Sequence, residues 1–260
     1  MLAWMTYVNL VGLLLGLAAF AFERSAQLRK TNTRWLWGAS LLASLIVPLA
    51  ITSVSVQVPL FMNVAAPGAS TKTVVLRQMT LPQLSPSEWL AESVGEVADS
   101  PSLDDVLQTI WVVASVSLLL AIAASTLHLT WRRRHWKSAS ISGVSVYISE
   151  DTGPAIVGLF SPRIVLPRWL TTATRAEQKL VIAHEDAHLE AHDAQLLAIA
   201  LFLLVCTPWN LPLWWQVRRL RCAIEIDCDA RVLRRGHAVR RYGELLVAIG
   251  ERQHASVAVV

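Results

Sequence analysis

The stretch His184-Glu185-Asp186-Ala187-His188 decides how the rest of this chain is interpreted. Two histidines four residues apart lie on one face of a helix, because four residues make just over one turn. Both imidazoles can then bind one Zn²⁺ from the same side. Glu185, between them, can reach a water molecule at an open metal position, which is the arrangement of a zinc hydrolase with a glutamate as general base.

A pattern of five residues also occurs by chance in unrelated helices, but two neighbouring features favour a metal site. Thr174 and Glu177 have the T-x-x-E spacing of a capping box, which predicts a helix that begins just before the motif. Farther along the chain, Glu225 and Asp229 share a helix face at i, i+4. They supply the third protein ligand that a catalytic zinc requires, Glu225, and a carboxylate, Asp229, that orients a ligand histidine.

The composition indicates a membrane protein. Of the 260 residues, 54% are hydrophobic and only 16% are charged, and the mean hydropathy is +0.45. An ordinary soluble domain is less apolar than this. Three uncharged runs are long enough to cross a bilayer: residues 2–22, 35–54 and 106–131. The alternative for the first run is a cleaved signal peptide, but its cations follow the run, which is the wrong polarity.

The charges beside these runs predict the orientation in the membrane through the positive-inside rule. Residues 23–34 and 132–137 are basic, whereas the segment 53–105 contains two cations and six acidic residues. We therefore expect the N-terminus outside and an extracytoplasmic loop at 53–105. The chain from residue 132 onward, which carries the metal motif, is expected in the cytoplasm.

A fourth apolar run, residues 196–215, conflicts with this arrangement if it crosses the membrane once. His188 and Glu225 would then lie on opposite sides and could not share a metal ion. Pro208 and Pro212 interrupt the run, and proline breaks helices. We therefore expect a re-entrant or membrane-abutting hairpin that begins and ends on the cytoplasmic side. The alternative is a true fourth span, which would remove the shared metal site.

Between the third span and the metal motif the chain has β character. Residues 144–148 alternate in polarity, and 155–160 and 163–166 are apolar runs bounded by glycine and proline. We expect a small antiparallel sheet whose last strand has an open edge, onto which a peptide substrate adds as an extra strand. A sheet with no role in substrate binding is the alternative.

Several short motifs stand out together in the second half of the chain. They are Gly158-x-x-x-Pro162-x-Ile164-Val165-Leu166-Pro167, His184-Glu185-x-x-His188-x-x-x-x-Asp193, Pro208-Trp209-Asn210 with Trp214-Trp215, Glu225-x-x-Cys228-Asp229 and Tyr242-x-x-x-Leu246. With the pattern of apolar runs, they resemble the membrane-bound metallopeptidase domain of the BlaR/MecR-type antirepressors. The resemblance covers nearly the whole chain.

Together with the topology above, the resemblance implies a mainly α protein of the bacterial cytoplasmic (inner) membrane. It has three transmembrane helices, a re-entrant hairpin and a gluzincin-like α+β zinc peptidase domain facing the cytoplasm. Residues 1–131 are expected to form the membrane region, and residues 132–260 the peptidase domain with the hairpin at 196–215.

The resemblance also implies a role for each site residue. His184, His188 and Glu225 bind zinc, and Glu185 is the general base and later the proton donor. Two further carboxylates contact the ligands rather than the metal; they are Asp193 and Asp229.

The predicted function is that of an integral membrane zinc endopeptidase that cleaves a cytoplasmic regulator, such as a winged-helix repressor, during signal transduction. The other predicted partners are the lipid bilayer and a second copy of the chain in a homo-oligomer, and no direct nucleic-acid binding is expected. Well-known members carry a C-terminal penicillin-binding sensor, which we expect this chain to lack, since it has no S-x-x-K acylation motif. The alternative function is a non-catalytic membrane signalling or scaffold subunit; the intact Glu185 favours the enzyme, because a scaffold has no need of a base.

Two features of the site stay open at the level of sequence. Cys222 and Cys228 flank Glu225, so a thiolate in place of its carboxylate is an alternative third ligand. No oxyanion-stabilising residue is assignable. His237 is a candidate, but a histidine among arginines is more often simply solvated.

Overall fold

The protein is described from a computed structural model, which covers residues 1–29, 31–53, 101–141, 143–150, 153–236 and 238–257. Its helices are α1 (Leu2–Leu28), α2 (Thr33–Ser53), α3 (Pro101–Arg133), α4 (Arg175–Glu190), α5 (Asp193–Cys206), α6 (Leu211–Arg234) and α7 (Val239–Val257). Its strands are β1 (Lys137–Ile141), β2 (Val144–Ser149), β3 (Ala155–Val157) and β4 (Arg163–Pro167). A short 3₁₀ helix, Arg168–Thr172, joins β4 to the metal-motif helix α4.

A helix is present at each of the three predicted apolar runs. α1, α2 and α3 are all long and apolar enough to cross a membrane. Most of the predicted extracytoplasmic loop at 53–105 lies outside the described residues. α1 and α2 pack side by side, and α6 packs against both of them. α6, whose first residues lie in the predicted hairpin at 196–215, is therefore part of the same bundle as the first two apolar helices.

A glycine of α1 and a buried side-chain amide of α6 set the contact between α6 and the pair of helices α1 and α2. A Cβ on Gly16 would lie 2.6 Å from the ring of Trp215, so only glycine allows this approach. The fully buried Gln216 donates to the carbonyl oxygen of Gly12 at 2.7 Å and accepts from the Ser40 hydroxyl at 3.1 Å. Because a buried polar group must be satisfied, these bonds favour a single seating of α6 between α1 and α2.

The fourth apolar run is broken in the structure, as its prolines predict. α5 ends at Cys206, and α6 begins after Asn210, whose side chain accepts from Leu213 N at 3.1 Å as an N-cap. A second break, which we did not predict from sequence, separates α4 from α5. There His192 has a left-handed backbone with φ of 57°, and the two helices bend by 56°.

The sheet differs from the predicted antiparallel arrangement. Its strand order is β1-β2-β4-β3, in which β2 and β4 are parallel and the other two pairs are antiparallel. The last strand, β4, is central rather than an open edge, so the predicted edge was wrong. The reason is that β3 folds back onto the outer side of β4. The apolar run Ile164–Leu166 is at most 2% exposed, as expected for a strand covered on both faces.

Candidate metal centre

Helix α4 begins at the predicted capping box. Glu177 N donates to Thr174 Oγ1 at 3.3 Å, and Thr174 N donates to Glu177 Oε2 at 2.8 Å. The next turn carries Leu180, Val181 and Ile182, which are buried in a core shared with β4, α6 and α7. This packing fixes the rotation of α4 and directs the face that carries both histidines toward α6.

The three predicted metal ligands come together at this face. His184 Nε2 lies 3.3 Å from His188 Nε2, and Glu225 Oε2 lies 3.7 and 3.6 Å from these two nitrogens. Donor atoms held about 2.0–2.2 Å from a tetrahedral ion are about 3.3–3.6 Å apart. The spacing therefore fits one tetrahedral ion. The Glu225 side chain is 62% exposed, which leaves the site accessible from that side.

Cys228 is a second candidate donor among the described residues. Its Sγ and one nitrogen of each histidine lie within 4.8 Å of one another. However, Sγ lies 3.5 Å from the Nδ1 atom of His184 and 3.4 Å from the His184 carbonyl oxygen. Burial raises the pKa of the Cys228 thiol, but its hydrogen bonds with both histidines outweigh burial and lower it. Glu225 Oε2, for its part, lies close to the Nε2 atom of each histidine.

Asp193 holds His188 from the side opposite the other donors. His188 Nδ1 lies 2.8 Å from Asp193 Oδ2, which leaves Nε2 directed toward His184 and Glu225. Burial raises the pKa of Asp193, but its hydrogen bonds with His188 and Arg34 and their charges outweigh burial and lower it. The carboxylate is therefore charged at neutral pH. Burial lowers the pKa of His188, but its hydrogen bonds outweigh burial and raise the pKa, and the bond with Asp193 contributes most to that rise.

Asp229 contacts His184 through an intermediary that sequence reasoning missed. Tyr242 OH lies 2.7 Å from His184 Nδ1 and donates to Asp229 Oδ1 at 2.6 Å, whereas Asp229 itself is 3.5 Å from Nδ1. The tyrosine belongs to one of the motifs that carry the family resemblance, but its contact is invisible in the sequence, because α7 is a separate helix. Burial and the hydrogen bond to Asp229 raise the pKa of Tyr242, so its hydroxyl keeps its proton.

Glu185 lies in the wall of a cavity of about 430 Å³ beside the two histidines. Its side chain is 6% exposed. Burial raises the pKa of Glu185, while the neighbouring histidines oppose that rise. Apolar residues of β3, α5 and α7 line the cavity together with some from α4 and α6; those of β3, α5 and α7 include Ile156, Leu197, Leu245, Leu246 and Ile249. His237, the sequence candidate for oxyanion stabilisation, lies outside the described residues.

Comparison with known proteins identifies the family of this chain. The family model described as BlaR1 peptidase M56 matches residues 4–260. The chain belongs to the BlaR1 peptidase M56 family. The resemblance drawn from the motifs is thus confirmed, and M56 peptidases are generally metallopeptidases.

One curated relative is also similar over part of the chain. The regulatory protein BlaR1 of Bacillus licheniformis is 24% identical over 158 residues, which cover 54% of this chain and 26% of that protein. The match thus spans about a quarter of the relative's length. Family membership and the apolar helices together indicate a membrane-associated metallopeptidase.

Proposed function

We propose that this chain is an integral membrane zinc endopeptidase in which His184, His188 and Glu225 bind the metal and Glu185 is the general base. The observation that supports this most directly is the convergence of three donor atoms at 3.3–3.7 Å from one another. They lie beside a buried glutamate on the wall of a cavity. A structural zinc site would instead surround the ion with four protein ligands and leave no open position for water.

The chain's own residues divide the reaction between them. Zinc bound here would acidify a water molecule and polarise the scissile carbonyl. Glu185 accepts the proton of the attacking water and passes it to the amine that leaves. Its raised pKa suits this exchange, because a more basic carboxylate holds a proton more readily near neutral pH. Asp193 and the Tyr242–Asp229 pair keep the two imidazoles oriented throughout.

We propose that the peptide lies along β3 rather than β4. Within the described residues, β3 pairs with β4 on one side, and its Ile156 lines the cavity that contains Glu185. A peptide that adds to such an edge forms main-chain hydrogen bonds and presents its scissile bond beside the donor atoms. This replaces the expected edge on the last strand of the sheet.

We place this active site at the cytoplasmic face of a bacterial membrane, with the N-terminus outside. α5 has 14 residues and rises about 21 Å, less than the roughly 30 Å hydrocarbon core of a bilayer. His188, which precedes α5, and Glu225, in the second half of α6, have donor atoms 3.6 Å apart. Both features support a hairpin that enters the membrane region and returns. The basic residues after α1 and α3 support the cytoplasmic side.

The substrate that we propose is a cytoplasmic regulator such as a winged-helix repressor, cut as part of signal transduction. Support comes from the similarity to a protein named as regulatory, BlaR1. A membrane-embedded peptidase with a cytoplasmic cleft is suited to convert an event at the membrane into loss of a soluble protein.

Metal analysis of the purified full chain in detergent tests the site. We expect about one zinc ion per chain in the wild type and a near-complete loss in the His184→Ala, His188→Ala double variant. The matched control is His192→Ala, because this histidine is exposed and its Nδ1 faces the Glu190 carbonyl oxygen at 3.1 Å. Zinc content that is unchanged in the double variant would contradict the proposal.

A further inference from the structure

The first turn of α2 is connected to the metal centre by a buried ion pair. Arg34 Nη1 lies 2.7 Å from Asp193 Oδ1 and donates to the Ala191 carbonyl oxygen at 3.3 Å. The two charged side chains are only 9% and 3% exposed. They are 159 residues apart in the sequence, so this contact exists only because α2 is seated against the start of α5.

The same carboxylate is shared with the metal-motif helix. The second oxygen of Asp193 accepts from His188 Nδ1 at 2.8 Å and from Arg231 at 3.1 Å. One buried carboxylate at the start of α5 therefore joins an arginine of α2, a histidine of α4 and an arginine of α6. With Arg34 on one oxygen and His188 on the other, the plane of the carboxylate is defined.

A second carboxylate fixes the same turn of α2 to the helix that carries Glu225. Asp227 accepts from Thr33 N at 3.3 Å, Thr33 Oγ1 at 3.4 Å and Arg34 N at 3.1 Å. The two backbone donors are free amides of a helix N-terminus, where a negative charge is stabilising. The first turn of α2 is thus linked to His188 of α4 through Asp193. It is bound to α6 directly through Asp227, two residues from Glu225.

We infer that Arg34 is a positioning residue of the metal centre, which holds Asp193 so that Asp193 holds the imidazole of His188. The inference rests on the proposed metal site. Groups that contact ligand histidines fix ring orientation and are usually worth a large factor in metal affinity. Here Arg34, which contacts Asp193 and not the histidine itself, belongs to the apolar helix α2. The metal affinity of the peptidase region therefore depends on how α2 is seated.

A purely structural role for Arg34 makes a different prediction. Buried ion pairs are weak evidence for stability, and loss of one partner leaves a charge buried. If Arg34 served stability alone, its replacement would lower thermal stability and leave metal affinity unchanged in the folded protein. If it positions His188, its replacement lowers metal affinity, and that loss depends on Asp193 being present.

Titration of the purified full chain in detergent with Co²⁺, followed by its visible absorption and by competition with Zn²⁺, separates these roles. We expect Asp193→Asn to weaken metal binding roughly 10–100-fold, and Arg34→Gln to weaken it about tenfold, since it acts one contact farther out. The double variant should bind no more weakly than Asp193→Asn alone, because both changes act through one contact. The control is Arg168→Gln, which breaks the exposed ion pair with Glu150 without touching Asp193 or α6 and should leave the affinity unchanged.

Three outcomes overturn the inference. Wild-type affinity and absorption in Arg34→Gln, with a loss in Asp193→Asn, would do so while leaving the proposed metal site intact. Additive losses in the double variant would show that Arg34 acts independently of Asp193. A wild-type chain that binds no Co²⁺ would remove the proposed function as well. If Arg34→Gln does not fold, the same titration of Arg34→Lys decides: a changed spectrum with weaker binding supports positioning, and an unchanged one overturns it.

Discussion

At the scale of single residues, the two histidines of the motif are held by different kinds of contact. His188 bonds directly to the Asp193 carboxylate, whereas His184 reaches Asp229 through the hydroxyl of Tyr242. In each case the Nδ1 atom is engaged and Nε2 is left for the proposed metal. Glu185 takes part in neither contact, so the proposed base is separate from the contacts that hold the ligands, although it lines the same cavity as both histidines.

Replacement of this glutamate tests that separation. We expect Glu185→Gln to retain zinc and to lose peptidase activity by roughly 10²–10⁴-fold, because the amide cannot accept a proton. Zinc content and cleavage of an internally quenched peptide library measure the two effects side by side. Asp186→Asn is the matched control, since this neighbour is half-exposed, pairs with Arg235 at 3.5 Å and does not line the cavity. If Glu185→Gln cleaves at the rate of the wild type, another group is the base. If the wild-type protein itself does not cleave, the result favours the non-catalytic signalling subunit.

At the scale of elements, the decisive contact is the seating of α6 against α1 and α2. α6 carries Glu225, so its position relative to α4 determines whether three donors converge. Gly16 and the buried Gln216 set that position from the α1 side. Asp227 sets it from the α2 side through the first turn of that helix. The proposed metal site therefore depends on helix packing among α1, α2 and α6 as well as on the motif helix itself.

A methyl group at Gly16 should disturb this packing. A Cβ there would lie 2.6 Å from the Trp215 ring, so we expect Gly16→Ala to destabilise the fold by about 1–3 kcal/mol, as for overpacked cores. The control is Gly250→Ala in α7, where a Cβ meets nothing within 4 Å and alanine should stabilise the helix by about 0.5–1 kcal/mol. Thermal unfolding of both variants in detergent measures the difference. Equal unfolding temperatures for the two variants would contradict close packing at Gly16.

At the scale of the whole molecule, the proposed topology and the proposed site depend on each other. A single crossing between His188 and Glu225 would separate atoms that lie 3.6 Å apart in the structure. In the proposed topology both lie on one side of the membrane, because the turn at residues 207–210 reverses the chain between α5 and α6. The same turn is close to α3, where Trp111 donates to the Cys206 carbonyl oxygen at 2.9 Å.

Cysteine labelling of intact cells tests this topology. In a chain without its native cysteines, Lys179→Cys and Arg234→Cys flank the hairpin at exposed positions and should both be shielded from an impermeant thiol reagent. Glu88→Cys, in the predicted extracytoplasmic loop, should react. Labelling of the residue-234 position from outside would show a fourth span and would remove the shared metal site. Membrane permeabilisation is the control that both shielded positions are chemically reactive.

The local features of this chain were determined by the sequence alone. The capping box of α4, the three apolar helices and the break near Pro208 follow from periodicity, caps and breakers within a few residues of one another. The i, i+4 spacing likewise placed each ligand pair on one helix face, because a helix has a fixed period. These properties need no knowledge of what packs against what.

Contacts between distant segments were decided only by the tertiary structure. The sequence does not state how the elements are ordered in space. It therefore did not predict the central position of β4, the bend at His192, the contact of the Tyr242 hydroxyl with His184 and Asp229, or the ion pair between Arg34 and Asp193. Each depends on how whole elements pack, and packing is set by the summed fit of many buried side chains rather than by local pattern. For the same reason the donors predicted from sequence could be named, but the contacts that hold them could not.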